Sequence, residues 1–219
     1  MRVDLWSDLV CPFCWIGITH FRRGLALLGS EAPPIELRWR AFMLDPEADA
    51  TPVPLAEAYA HKFGGEEQAA AMFARVEAAG REAGLPIDLS RGQVRVTTRE
   101  AHRLMWLARE RGVDVDAVAD ALFHAHFAKG RNLADPATLV QAGAAGGLPE
   151  DAVKALLAGT DGGQQVQADM GQARQIGISA VPFFVLDGRL AVRGAQPPEA
   201  FAAAIRQALG HAPAPHLPQ

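Results

Sequence analysis

The stretch Val3-Asp4-Leu5-Trp6-Ser7-Asp8-Leu9-Val10-Cys11-Pro12-Phe13-Cys14 decides how this chain is read. Val3 and Leu5 alternate with polar neighbours, a short strand signal that runs into a turn at Ser7-Asp8. Beyond Cys14, the residues Ile18, Phe21, Leu25 and Leu28 recur at helical spacing up to Gly29, with Arg22 and Arg23 on the other face. Pro12 suits the first turn of that helix, where a missing N–H is no loss. Cys11 and Cys14 therefore stand between a strand and a helix start, and they are the 2 cysteines of the whole chain. A bridge between them would close a tiny loop and add little stability by chain entropy, so the pair needs a chemical explanation.

Helix N-termini expose unpaired N–H groups and the positive end of the macrodipole, and both favour an anion. A thiolate at Cys11 would be stabilised by each. Cys14, one turn further in, is placed to attack a mixed disulfide at Cys11, which gives a two-step exchange in which Cys11 reacts and Cys14 resolves. The alternatives are a zinc half-site or two inert core cysteines. Structural zinc wants four protein ligands, no second cysteine pair exists, and His20, His61, His102, His124 and His126 show no ligand spacing, so no metal is expected. A C-x-x-C beside a βαβ pattern reads as thioredoxin-like.

Outward from the motif, Ile35, Leu37 and Trp39 alternate with Glu36, Arg38 and Arg40, a second strand after the Pro33-Pro34 break. Strand, helix, strand implies a parallel pair with a right-handed crossover. From Phe42 to about Gly177 the pattern is almost wholly helical after a Pro-rich loop at 45–54. Helices are expected over 55–63, 66–83, 115–127, 137–145, 149–158 and 164–176, with a further apolar stripe at Ala101, Leu104, Met105 and Ala108. Asp135-Pro136 reads as N-cap and N1, and Gly159 and Gly177 as stops. The glycine-rich 143–147 follows a helix, lacks a preceding strand and reads as a helix end. Strands return at Phe183-Phe184-Val185-Leu186 and 190–192, joined by the turn Asp187-Gly188, before a last helix over 198–209.

The fold class is α/β: a thioredoxin-like β-α-β … β-β-α frame, residues 1–41 and 177–210, interrupted by a large all-helical insertion over 42–176. Residues 211–219, with Pro213, Pro215 and Pro218, are expected to be a disordered tail. With 219 residues, 49% hydrophobic and 21% charged, the chain can bury a sizeable core. A net charge of −4 offers no basic footprint for nucleic acid or an anionic membrane. No stretch approaches the roughly 20 apolar residues of a membrane span. The start, Met1-Arg2-Val3-Asp4, lacks a signal-peptide layout, so a soluble, cytoplasmic protein is expected.

Several ordered strings carry a resemblance: Ser7 to Gly17 around the cysteines, Arg40-Ala41-Phe42-Met43-Leu44-Asp45-Pro46, Ala101-His102-Arg103-Leu104, Val181 to Val185 and Gly194-Ala195-Gln196. Together they resemble the DsbA-like branch of the thioredoxin superfamily, and most closely its FrnE-like cytoplasmic group. That group is related to 2-hydroxychromene-2-carboxylate isomerases and kappa-class glutathione transferases. The resemblance implies a cis peptide before Pro182, with Val181 and Pro182 beside the sulfurs and the Val181 backbone free to pair with an extended substrate. Taken alone, a proline before a strand is ordinary punctuation. The resemblance also makes Cys11 and Cys14 catalytic, with Pro12 and Phe13 as the active-site dipeptide. Phe13 and Trp15 then offer an apolar rim for substrate, ordinary packing being the alternative. Isomerase and transferase relatives typically have serine at the first cysteine, so Cys11 argues for redox exchange.

The expected function is thiol–disulfide exchange with disulfide-containing or unfolded polypeptides, with disulfide isomerase and chaperone activity attached. No bound cofactor is expected; glutathione or a thioredoxin-type donor is the expected redox partner. Two alternatives stand beside it, a glutathione-dependent small-molecule isomerase or transferase and a non-enzymatic polypeptide-binding module. Asp4 and Asp8 are read as turn or surface residues that could otherwise accept a proton from Cys14. His102 is read as a helix-surface histidine that could otherwise face the cleft, and Arg103 and Arg193 as exposed charges that could otherwise contact glutathione or a substrate carboxylate.

Overall fold

Strand β1 (Arg2–Ser7) lies at the centre of a sheet, parallel to β2 (Glu36–Ala41) on one side and antiparallel to β5 (Phe183–Leu186) on the other. β6 (Leu190–Arg193) pairs antiparallel with β5 and closes the order β2-β1-β5-β6. The β5–β6 turn has Asp187 and Gly188 both at positive φ, 48° and 68°, the conformation that an Asp-Gly hairpin favours. The computed structural model describes residues 1–210, so the expected tail lies outside the described residues.

Helix α1 (Pro12–Leu28) follows β1 and packs on α9 (Pro198–Ala208). Their closeness depends on Gly24, where an added Cβ would stand 2.7 Å from the Pro198 carbonyl oxygen and 2.8 Å from Phe201 Cβ. Phe21 of α1, Phe184 of β5 and Phe201 of α9 meet with ring centroids 4.9–5.6 Å apart. Each ring is fully buried, and burial of such a side chain contributes about 2–3 kcal/mol.

Between β2 and β5 come α2 (Leu55–Phe63), α3 (Glu66–Glu82), α4 (Arg99–Glu110), α5 (Val115–Lys129), α6 (Pro136–Ala145), α7 (Glu150–Ala158) and α8 (Gly163–Gln175). The Asp135 carboxylate caps α6 by accepting the Thr138 N–H, with Pro136 at the first helical position. This block also holds a two-residue ladder, β3 (Val53–Pro54) against β4 (Val94–Arg95), which hydrophobic periodicity cannot detect at that length.

The sheet and the inserted helices are joined by a buried ion cluster. Arg40 on β2 bridges Asp4 of β1 at 2.8 Å and Asp169 of α8 at 3.3 Å. Asp169 also accepts the Ala41 N–H, and its carbonyl takes the Trp6 indole N–H. Asp4, expected at a turn or on the surface, is therefore a buried partner of a cation.

Candidate active site

The β1–α1 turn is closed by the Cys11 N–H donating to the Asp8 carbonyl at 3.1 Å. Cys11 occupies the N-cap with extended backbone, and its carbonyl accepts the Cys14 N–H at 3.0 Å, which starts the helix with Pro12 at its first position. Both thiols are free; Cys11 keeps 4% of its surface and Cys14 none. The Cys11 thiol points to the Val181 carbonyl oxygen at 3.8 Å, and the Val181–Pro182 peptide is cis. The chain thus brings the Val181–Pro182 peptide to the Cys11 sulfur across 170 residues. Gly17 allows this approach, since a Cβ there would meet Pro182 Cγ at 2.7 Å.

The two sulfurs are not equivalent. Burial pushes the Cys14 thiol well above its ordinary range, and the hydrogen bond and charge of Cys11 add to the rise. The Ser7 hydroxyl and the Asp8 main-chain N–H pull it down by less. Cys14 therefore rests as a protonated thiol behind Cys11, as a resolving group should.

Phe13 is 45% exposed beside the pair, whereas Trp15 is buried. The Trp15 indole lies 5.9 Å from both Phe123 and Phe127 of α5, near parallel to each. This corrects its expected place at a substrate rim: the ring ties α1 to α5, and the exposed aromatic surface is that of Phe13.

A cleft of about 700 Å³ opens next to the motif, bounded by Val10, Leu44, Tyr59, Lys62, Arg95 and His126. Its size suits a small organic molecule or a peptide segment. Burial, and then the negative charge of Cys11, Asp8 and Asp45, hold the Tyr59 hydroxyl above the ordinary phenol range. Tyr59, the single tyrosine of the chain, carried no local sequence signal.

Asp8 and His102 depart from their surface readings. Both are buried, the Asp8 carboxylate accepts the Leu44 N–H at 2.8 Å, and His102 Nε2 lies 3.5 Å from Asp8 Oδ1. Arg103 is buried too. Its guanidinium donates to the carbonyls of Leu156, Gly159 and Asp161, which closes the C-terminal end of α7. Arg193 is exposed and stands over the Phe183 ring at 5.7 Å.

A thioredoxin-type sheet, a C-x-x-C at a helix N-terminus and a cis-proline loop against the first sulfur define a DsbA-like thioredoxin-fold protein. The chain belongs to the DSBA-like thioredoxin domain family, whose profile matches residues 2–206. It is similar to a probable DsbA oxidoreductase from Streptomyces coelicolor, with 36% identity over 99% of this chain and 93% of that one, and a TM-score of 0.88. The fold is shared with the cytosolic disulfide reductase DsbM from Pseudomonas aeruginosa, solved with GSH, at 17% identity, 96% and 100% coverage and a TM-score of 0.64. It is shared as well with a 2-hydroxychromene-2-carboxylate isomerase, at 16% identity, 96% and 95% coverage and a TM-score of 0.61. Among curated proteins none matches the chain. No helix among the described residues is long and apolar enough to cross a membrane.

Proposed function

We propose that this chain exchanges disulfides with polypeptide substrates, Cys11 forming the mixed disulfide and Cys14 resolving it. The observation that carries the reading is the inequality of the two thiols: Cys11 at the helix start against the Val181 carbonyl, Cys14 sealed and protonated one turn deeper. In the reducing direction, the Cys11 thiolate attacks a substrate disulfide, forming one S–S bond as the substrate bond breaks and one substrate thiolate leaves. Cys14 then gives up its proton and attacks Cys11, closing the intramolecular disulfide and expelling the second substrate thiolate. An outside dithiol or two molecules of glutathione restore the reduced pair. We take residues 1–41 and 177–210 as the exchange frame, 42–176 as its cover, and the cytoplasm as its compartment. A GSH-bound neighbour described as cytosolic supports glutathione as the redox partner there.

With Cys14→Ser, a stable Cys11-linked adduct is expected to accumulate when the reduced protein meets oxidised glutathione or a disulfide-bearing polypeptide, read by mass and released by dithiothreitol. Cys11→Ser should form none. Absence of the adduct would contradict the reading.

The cleft beside Val10 favours one second reading, a glutathione-dependent isomerase or transferase acting on a small molecule. That chemistry needs no resolving thiol, so Cys14→Ser would leave it intact while abolishing catalytic turnover of protein disulfides.

A further inference from the structure

The cleft of about 700 Å³ beside the catalytic turn is built by the inserted segment: apart from Val10, every residue that lines it lies between Leu44 and His126. Neither Val181 nor Pro182 lines it, so it is a contact region separate from the cis-proline loop.

Its walls combine two kinds of surface. Val10, Leu44, Val53, Leu55, Val94 and Val96 are apolar. Tyr59 and His126 are polar but uncharged near neutral pH, because burial holds the phenol protonated and lowers the imidazole pKa to about 4. Two of the five buried side-chain polar atoms without a hydrogen-bond partner among the described residues belong here, His126 Nδ1 and Gln93 Oε1. Gln93 ties two walls together, its Nε2 donating to the His126 carbonyl at 3.3 Å and its own carbonyl accepting the Leu55 N–H at 2.9 Å. Buried polar atoms left unpaired are costly, which favours an occupant that can pair with them.

The charges around the cleft cancel. Arg95 is held by Asp45 at 2.5 Å, and exposed Lys62 is matched in sign by exposed Glu57. No cation is left over for a carboxylate. A neutral imidazole carries one donor and one acceptor, and a phenol can serve as either. A peptide unit brings one N–H and one C=O, so it suits the pair whichever ring nitrogen holds the proton.

Exposed apolar surface gathers on the same face. Of the five large apolar side chains exposed among the described residues, Phe13 stands in the catalytic motif, Leu44 lines the cleft, and Phe63 ends α2 with its ring 5.4 Å from Tyr59. Clustered exposure of this kind marks a surface that meets another polypeptide.

We propose that this cleft docks the substrate polypeptide, taking an uncharged, apolar segment next to the reacting cysteine and one of its peptide units on Tyr59 and His126. The inference rests on the exchange function proposed above and names its substrate class. Val10 adjoins Cys11, so a substrate cysteine joined to Cys11 has its near neighbours at the cleft, each residue of extended chain reaching about 3.3 Å further. Apolar side chains leave water for the valine and leucine walls. Charged flanks would lose hydration with no unmatched partner to replace it. Leu44 and Tyr59 therefore set specificity, and no covalent step passes through them.

The test uses the Cys14→Ser chain and four mixed disulfides of thionitrobenzoate, a good leaving thiol whose colour times attack by Cys11. The partners are a peptide with leucine and valine flanking its single cysteine, the same peptide with serine flanks, glutathione, and 2-mercaptoethanol, which is too small to reach the cleft. Each rate is read relative to the mercaptoethanol probe, so changes in the Cys11 thiol itself cancel. The apolar peptide is expected to react about tenfold faster than the serine peptide, the worth of one buried apolar side chain. Leu44→Asp, at a half-exposed position, should cut the relative rate of the apolar peptide about tenfold. Tyr59→Phe should cut it about fivefold, the worth of one hydrogen bond. Equal relative rates for the two peptides would overturn the docking site, and so would a preference that survives both variants or variants that slow all four probes alike. Glutathione reacting faster than the apolar peptide, and losing that advantage in either variant, would overturn it as well, since the cleft would then serve a small charged thiol. Failure of the Cys14→Ser chain to react with any probe would instead remove the exchange function itself.

Discussion

Replacing Arg40 with methionine is expected to destabilise the protein by about 3 kcal/mol or more, because two buried carboxylates lose their shared cation. Asp4 and Asp169 come from opposite ends of the chain and converge only on Arg40, whose side chain is itself 19% exposed. The partners that remain, Arg2 at 3.3 Å from Asp4 and Gln165 at 3.0 Å from Asp169, offset part of the loss and place it near the lower end of the range for a broken buried pair. Methionine keeps much of the length and adds no polar group, so the effect reads charge rather than shape. Denaturant unfolding measures it directly. Adding Asp169→Asn to Arg40→Met should recover a good part of the loss, a coupling that a double-mutant cycle isolates. A cost below about 1 kcal/mol, the scale of an exposed ion pair, would contradict this account of how the inserted helices are held to the sheet.

The second large effect is acid destabilisation through His126. Its ring lies in the core against Phe127 at 4.8 Å, its Nδ1 has no partner, and burial pushes its pKa from 6.5 down to about 4. The Arg131 main chain and the Asp8 charge oppose that shift and lose to desolvation. Near neutral pH the ring is uncharged in both states and has no effect on folding. As pH falls below 6.5 the unfolded chain takes up a proton that the native state refuses until about pH 4, so stability declines across that window and levels off below it. At pH 4 the loss reaches about 3 kcal/mol. His126→Gln should remove this part of the slope, leaving that due to other groups. Identical pH dependence in the two proteins would mean that the ring is charged or hydrated in the native state.

The features legible in the sequence were those written locally. Cys11-Pro12-Phe13-Cys14 between an alternating run and a helical one, Asp135-Pro136 ahead of a helix and Asp187-Gly188 between two apolar runs each act within a few residues, where capping and turn geometry decide the outcome. The β3–β4 ladder was not legible because two residues per strand carry no periodicity. Trp15, Arg103 and His102 were misjudged for one shared reason. Each lies on a helix whose polar-looking positions are covered by elements far along the chain, α5 over Trp15, α7 over Arg103 and the catalytic turn over His102. Asp8 showed the same ambiguity: its place before the cysteines suggested a turn, and the contacts that reveal a buried carboxylate, with the Leu44 N–H and with His102, come from residues far along the chain.

The most direct test of the central claim is a redox titration of the unmodified protein in glutathione buffers, quenched with acid and read by mass. The account predicts a single reversible transition in which Cys11 and Cys14 lose two hydrogens together and form an intramolecular disulfide, with no lasting glutathione adduct. A protein that never forms that disulfide, or that stops at a stable adduct on Cys11, would contradict it.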